Sequence, residues 1–189
     1  QFLYELSIQM DFEAASEHLA LCEDVFASDF FLSGNPAFEA KFMQGARVLD
    51  LFAGTGQLGI EALSRGAESA VFVDCRADAV KLIRENLALT KLEDGAQVVC
   101  ADAMSALASL RRPFDLIFLD PPYAGDLLER AIERIAGFDI LARNGIMIAE
   151  SPADKPLPTL PPPYRVAREY RYGRIKATLY RRDGEESAP

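Results

Sequence analysis

The chain has no tryptophan, one histidine and three cysteines among its 189 residues, and these scarcities remove whole classes of chemistry. Cys22, Cys75 and Cys100 are far apart, with no Cys-x-x-Cys pair and no Cys/His cluster. Neither a zinc site nor a disulfide framework is expected from such spacing, and no metal is called for. Buried thiols in a reducing compartment are the expectation instead. His18 is the one imidazole and lies outside every motif, which excludes a histidine-based triad unless it folds back into a site. No apolar run approaches the roughly 18–20 residues of a membrane span. The opening stretch QFLYELSIQMDFEAASEH lacks a basic n-region and a cleavage site, so it does not read as a secretory signal, and a cytoplasmic location is expected.

Positive charge is scarce overall, with a net of −9, which argues at first against a nucleic-acid partner. The deficit is local. Residues 1–46 hold eight of the 29 acids and only one of the twenty bases, and no arginine precedes Arg47. In contrast, Arg165 to Arg182 carries Arg165, Arg168, Arg171, Arg174, Lys176, Arg181 and Arg182 against the single acid Glu169. A local basic surface matters more for nucleic acid than the whole-chain balance.

Half of the residues are hydrophobic, and the length suits one domain. Residues 1–46 read as an acidic, aromatic-rich helical segment, with helices over Asp11 to Val25 and Ala37 to Met43 around a Ser33–Pro36 turn. From Arg47, strand and helix patterns alternate. Strands are predicted at Arg47–Leu51, Ser69–Asp74, Ala96–Cys100, Phe114–Leu119 and Gly145–Glu150. Helices are predicted at Gln57–Ser64, Ala77–Thr90, Ala103–Leu110 and Asp126–Ala136. This order indicates an α/β fold with a mostly parallel sheet covered on both faces, which binds its ligand beyond the carboxyl ends of the strands. Pro152 to Pro163 holds six of the eleven prolines and reads as a loop. Tyr164–Tyr172 and Arg174–Arg182, separated by Gly173, then read as an antiparallel hairpin closing one sheet edge, which brings the sheet to seven strands. The domain is placed at 47–182 and the polar residues 183–189 form a tail.

Two stretches carry the chemistry. In RVLDLFAGTGQLG (Arg47 to Gly59), a buried strand runs into the turn Phe52-Ala53-Gly54-Thr55-Gly56 and then a helix. Glycines there allow positive φ and close backbone approach to a ligand, and the helix start offers free N–H groups. The second stretch, FDLIFLD, continues into Pro121, Pro122 and Tyr123. Four acids, Asp50, Asp74, Asp102 and Asp120, fall at or just past strand ends, which places four carboxylates on one rim. Asp74, followed by Cys75, suits both hydroxyls of a ribose. Asp102 suits an adenine amino group, with the Ala103 N–H donating to a ring nitrogen. Asp50 suits a cationic amino group. Together they describe a nucleoside that carries an amino acid. Gly54 to Gly59 also matches G-x-G-x-x-G, the fingerprint of a dinucleotide site, with Asp74 about twenty residues on. Asp50 and the DPPY tetrapeptide at Asp120–Tyr123 favour the amino-acid-bearing nucleoside.

The motifs DLFAGTG, VFVD, the Asp102 position and DPPY resemble those of class I S-adenosylmethionine-dependent methyltransferases acting on exocyclic amines of nucleobases. More narrowly, RVLDLFAGTGQLGIEALSRGAESAVFVD, FDLIFLDPPY and YRYGRIKATLYRR are similar to the bacterial small-subunit (16S) ribosomal RNA guanine-N2 methyltransferases. The resemblance covers Gly45 to about Arg182 and implies a Rossmann-like methyltransferase fold, S-adenosylmethionine as cofactor, and ribosomal RNA or an assembling small subunit as partner of a monomer. Upstream the chain departs from the family pattern, being acidic where members carry a basic arm. Within the tetrapeptide, Asp120 and the Pro121 carbonyl would hold the amine, the prolines would keep that carbonyl fixed, and Tyr123 would stack on the target base. Methylation of adenine N6 in DNA or RNA, and a non-catalytic cofactor-binding module working through a protein partner, are the alternatives that DPPY alone leaves open.

Overall fold

The computed structural model describes residues 42–122 and 125–184. The helices expected over residues 11–25 and 37–43 lie wholly or mostly outside the described residues, as do Tyr123 and residues 185–189. Seven strands form one sheet in the order β3-β2-β1-β4-β5-β7-β6. They are β1 (Arg47–Asp50), β2 (Ser69–Asp74), β3 (Ala96–Cys100), β4 (Phe114–Leu119), β5 (Leu141–Pro152), β6 (Tyr164–Tyr172) and β7 (Ile175–Arg182). Strands β1 to β5 run parallel, and β7 is antiparallel to both β5 and β6. Four helices cross between the parallel strands: α1 (Gln57–Ser64), α2 (Ala77–Thr90), α3 (Ala103–Ser109) and α4 (Leu127–Phe138).

Alternation along the strands builds two cores. On one face Val48, Phe72, Leu116, Phe118 and Ile148 pack with Ile60 of α1 and with Ile83 and Leu87 of α2. On the other Leu49, Val73, Ile117, Leu119 and Met147 pack with Leu107 of α3 and with Leu128, Ile132 and Ile135 of α4. Helix α4 buries Leu128, Ala131, Ile132 and Ile135, the three- and four-residue spacing of one helical stripe. After β1 the chain winds outward through β2 to β3, then returns across the sheet to place β4 on the other side of β1. Right-handed crossovers in opposite directions put α1 and α2 on one face and α3 and α4 on the other. The reversal opens a crevice at the carboxyl ends of β1 and β4.

Two boundaries differ from the sequence reading. The fifth strand begins at Leu141, not Gly145, because Leu141 pairs with Phe114 before a bulge shifts the register to Leu116 against Ile146. The Arg-Asn-Gly turn signal marks that irregularity, with Asn144 at φ 62°, and not a break before the strand. Pro152, read as loop, ends β5 opposite Ile175. The cysteines also differ. Cys75 and Cys100 are exposed, because they sit at the carboxyl ends of β2 and the edge strand β3, past the layer that the helices cover.

The first turn of α1 packs so closely on the sheet that only glycine fits at residue 59. A Cβ there would lie 2.3 Å from Cε1 of Phe72, a ring with no exposed surface. Gly59→Ala is expected to destabilise the fold by about 1–3 kcal/mol, the usual cost of overpacking a filled core. Urea unfolding would show this as a lower midpoint at unchanged slope.

Candidate functional site

Four of the five parallel strands end in or beside an acid, and the structure sorts those acids by task. Asp50, the last residue of β1, is 3% exposed, and its Oδ2 accepts the Gly59 N–H at 3.0 Å. It does not line the cleft. Sequence reasoning assigned it to a cationic amino group of a ligand, whereas the side chain ties β1 to the first turn of α1. A buried carboxylate needs such donors, and the glycine N–H meets that need.

Between β1 and α1 the turn folds tightly on itself. The Gly56 N–H donates to the Ala53 carbonyl at 2.6 Å, and the Ala53 N–H donates to Val73 of β2 at 3.0 Å. Gly56 has φ 80° and caps α1 in the left-handed conformation, a geometry that costs glycine no steric strain. It is buried behind the cleft, so its role is the turn. Asn86 of α2 donates to the Thr55 carbonyl at 2.9 Å and holds the outer limb of the turn.

Asp74 ends β2 opposite this turn. Its Oδ2 accepts the Gly54 N–H and its Oδ1 the Arg76 N–H, each at 2.9 Å. A carboxylate offers about four acceptor positions, so two of them remain for a ligand. Asp102, two residues past β3, caps α3 by accepting the Ser105 N–H at 3.1 Å. Hydrogen bonds from the Ser105 side chain and backbone hold its carboxyl below the ordinary carboxylate range. Asp120 follows β4 directly, and Pro121 is buried beneath it while Pro122 is exposed.

These residues enclose one cleft of about 610 Å³, within the range of small-molecule sites. Of the residues singled out from sequence, it is lined by Phe52, Ala53, Gly54, Thr55, Asp74, Cys75, Asp102, Ala103, Asp120, Pro121 and Pro122. A glycine turn at one end, a carboxylate between β2 and β3, and a proline-held carbonyl at the other fit a nucleoside with an amino-acid tail. Among the described residues no group of three or more His, Cys, Asp or Glu side chains is placed to hold a metal. No helix among the described residues is long and apolar enough to cross a membrane.

Sequence reasoning places Glu150 at the end of the fifth strand, where it could face the site, and assigns it no role. It is 3% exposed and lines the cleft near the end of β5. Leu119 pairs with Ala149 in the parallel register, so Asp120 and Glu150 are the next residues on adjacent strands. The signal was present, since Glu150 ends an apolar run as the other acids do. Lys155 lies in the loop after β5. It donates to the Gly125 carbonyl at 3.0 Å and pairs with Glu129 of α4 at 2.9 Å, tying that loop to the segment that follows Pro122.

Comparison with known proteins finds relatives over most of the chain. The family described as conserved hypothetical protein 95 matches residues 34–181. Ribosomal RNA small subunit methyltransferase D of Escherichia coli (strain K12) is 39% identical over 141 residues, which is 74% of this chain and 70% of that protein. A solved structure of a conserved hypothetical protein from Streptococcus pyogenes is 37% identical, with a TM-score of 0.70 over 76% of this chain and 89% of that one. A more distant crystal structure complexed with SAH, 17% identical, shares the fold with a TM-score of 0.67 over 87% of this chain and 49% of that one.

Proposed function

The chain belongs to the family described as conserved hypothetical protein 95, and on that footing we propose that it methylates the exocyclic N2 amine of a guanine in small-subunit ribosomal RNA. It is a methyltransferase of the Rossmann-like class I fold with S-adenosylmethionine as its cofactor. The relative in Escherichia coli carries the small-subunit ribosomal RNA name, and that name supports the substrate class. The observation that carries the amine chemistry is the Asp120-Pro121-Pro122 corner, which lines the same cleft as the glycine turn.

When bound, S-adenosylmethionine supplies an electrophilic methyl group on a sulfonium sulfur. Phe52 to Thr55 would line its amino-acid end, Asp74 would accept from the ribose hydroxyls, and Asp102 with the Ala103 N–H would meet the adenine beside Cys75. An aryl amine is a poor nucleophile, since its lone pair is delocalised into the ring. The Asp120 carboxylate and the Pro121 carbonyl both accept, so each takes one N–H of the amine and turns the lone pair toward the methyl. Transfer of that methyl group to the amine would leave the nitrogen cationic. Asp120 stabilises that charge and is placed to take the proton the product sheds. Pro121, buried with a fixed φ, keeps its carbonyl in place, so orientation supplies part of the rate.

Glu150 supports guanine over adenine. The Watson–Crick edge of guanine presents N1–H and N2–H donors side by side, matching two neighbouring carboxylates. Adenine presents an acceptor at N1, which a carboxylate repels. The test is methyl transfer from labelled S-adenosylmethionine to unmodified small subunits, naked ribosomal RNA and duplex DNA in parallel, followed by nucleoside analysis. N2-methylguanosine from the ribosomal samples is expected. N6-methyladenine would replace the guanine reading, and no transfer to any sample despite cofactor binding would remove the enzymatic one.

A further inference from the structure

The basic stretch noted in the sequence forms β6 and β7, and the fold divides it into two unlike halves. At the base of the hairpin Arg165 pairs with Asp183 at 2.8 Å and Arg182 with Asp139 at 2.7 Å. Lys176 is 5% exposed and bonded to Glu169 at 2.9 Å. Each of these cations has an acidic partner within the fold. Arg168, Arg171 and Arg174 are exposed and lie toward the turn. The register fixes where that turn is. Pro152, two residues beyond Glu150, pairs with Ile175, and Ile175 pairs with Tyr172. The hairpin tip therefore stands at the same end of the sheet as the carboxyl ends of the parallel strands, beside the cleft.

A single cross-strand row joins the two. Glu150 pairs with Ala177, and Ala177 pairs with Tyr170, so Tyr170 lies on the sheet face of Glu150, about 10 Å away at ordinary strand spacing. Arg168 covers the Tyr170 ring, with its guanidinium carbon 5.6 Å from the ring centroid and Nη1 donating to the hydroxyl at 2.9 Å. A planar cation stacked on an aromatic ring suits an unpaired base, and flanking arginines suit phosphates.

We propose that the hairpin tip is the RNA-docking surface of this enzyme: Arg171 and Arg174 hold phosphates, and the Arg168–Tyr170 stack receives a base flanking the target nucleotide. This rests on the reading of the cleft as an RNA methyltransferase site. The ion-paired base of the hairpin contributes nothing to docking.

The test compares Arg171→Gln/Arg174→Gln, Arg168→Gln and the control Arg165→Gln with the parent, all with the full chain. RNA affinity is measured across a potassium chloride series, with S-adenosylmethionine affinity as the check on folding. Losing two phosphate contacts should flatten the plot of log affinity against log salt by about 1.4–1.8 and weaken binding about tenfold at moderate salt. Arg168→Gln should weaken binding with little change in slope, and Arg165→Gln should match the parent. Tip variants that bind and methylate RNA like the parent would overturn the docking surface and leave the function standing. A parent that binds cofactor but neither binds nor methylates any RNA would overturn both. Tip-dependent binding of duplex DNA, with none of RNA, would overturn the choice of RNA.

Discussion

Asp120→Ala is expected to lower methyl transfer by about two to three orders of magnitude while S-adenosylmethionine affinity stays within about threefold. The size follows from what the carboxylate does. In the proposed function it would orient the amine before reaction and meet a charge that exists only as the transition state is approached. Removing one such preorganised partner costs about 10²–10³ in rate in comparable sites. Cofactor affinity should be spared because, in the proposed function, the polar groups of the cofactor would meet the glycine turn, Asp74 and Asp102 rather than Asp120. Asp120→Asn keeps one acceptor oxygen and loses the negative charge, so it should fall between alanine and the parent. Single-turnover transfer with saturating cofactor and RNA isolates the chemical step. A rate for Asp120→Ala within threefold of the parent would mean that the proline corner only shapes the loop before α4, and the amine would need another acceptor. Glu150 would then be the first residue to replace.

The parallel core and its site were readable from local pattern, and what escaped was set by pairing at long range. The strand at Ser69–Asp74 and the helix at Ala77–Thr90 lie where the sequence put them, since buried alternation and a helical stripe are local signals. Asp74, Asp102 and Asp120 reach one cleft because parallel strands end at a common edge. The orientation of Asp50 was not legible. Whether an acid at a strand end faces ligand or scaffold depends on the nearest backbone donor, and that donor, Gly59, is nine residues away on α1. The hairpin cations look alike in sequence. The partners of Arg182 and Arg165 are Asp139 and Asp183, and neither lies within the basic stretch. The exposure of Cys75 and Cys100 follows from the sheet order, which makes β3 an edge.

Asp74→Ala should weaken S-adenosylmethionine binding by about a hundredfold or more, the largest effect on affinity expected from any single residue of the cleft. Two roles converge on this carboxylate. It accepts the Gly54 and Arg76 N–H groups, which fixes the glycine turn relative to the start of α2, and in the proposed function its remaining acceptor positions would take the ribose hydroxyls. Hydrogen bonds to a charged group contribute about 1.5–3 kcal/mol each, so losing two ribose contacts alone accounts for the hundredfold change. Asp74→Asn is not a mild substitute. Its amide has one acceptor oxygen, so one of the two backbone N–H groups must face an NH₂ donor, and affinity should drop at least tenfold. The two roles separate in a cycle with 2′-deoxy cofactor. If the carboxylate binds the ribose directly, the deoxy compound should bind the parent less well, and Asp74→Ala should be nearly indifferent to the missing hydroxyl, because contacting groups do not add. If the carboxylate only holds the turn, the two losses should multiply. Calorimetric titration of both ligands into both proteins gives the four affinities. Multiplying losses would move the ribose contact elsewhere on the rim and leave Asp74 as a brace between the turn and α2.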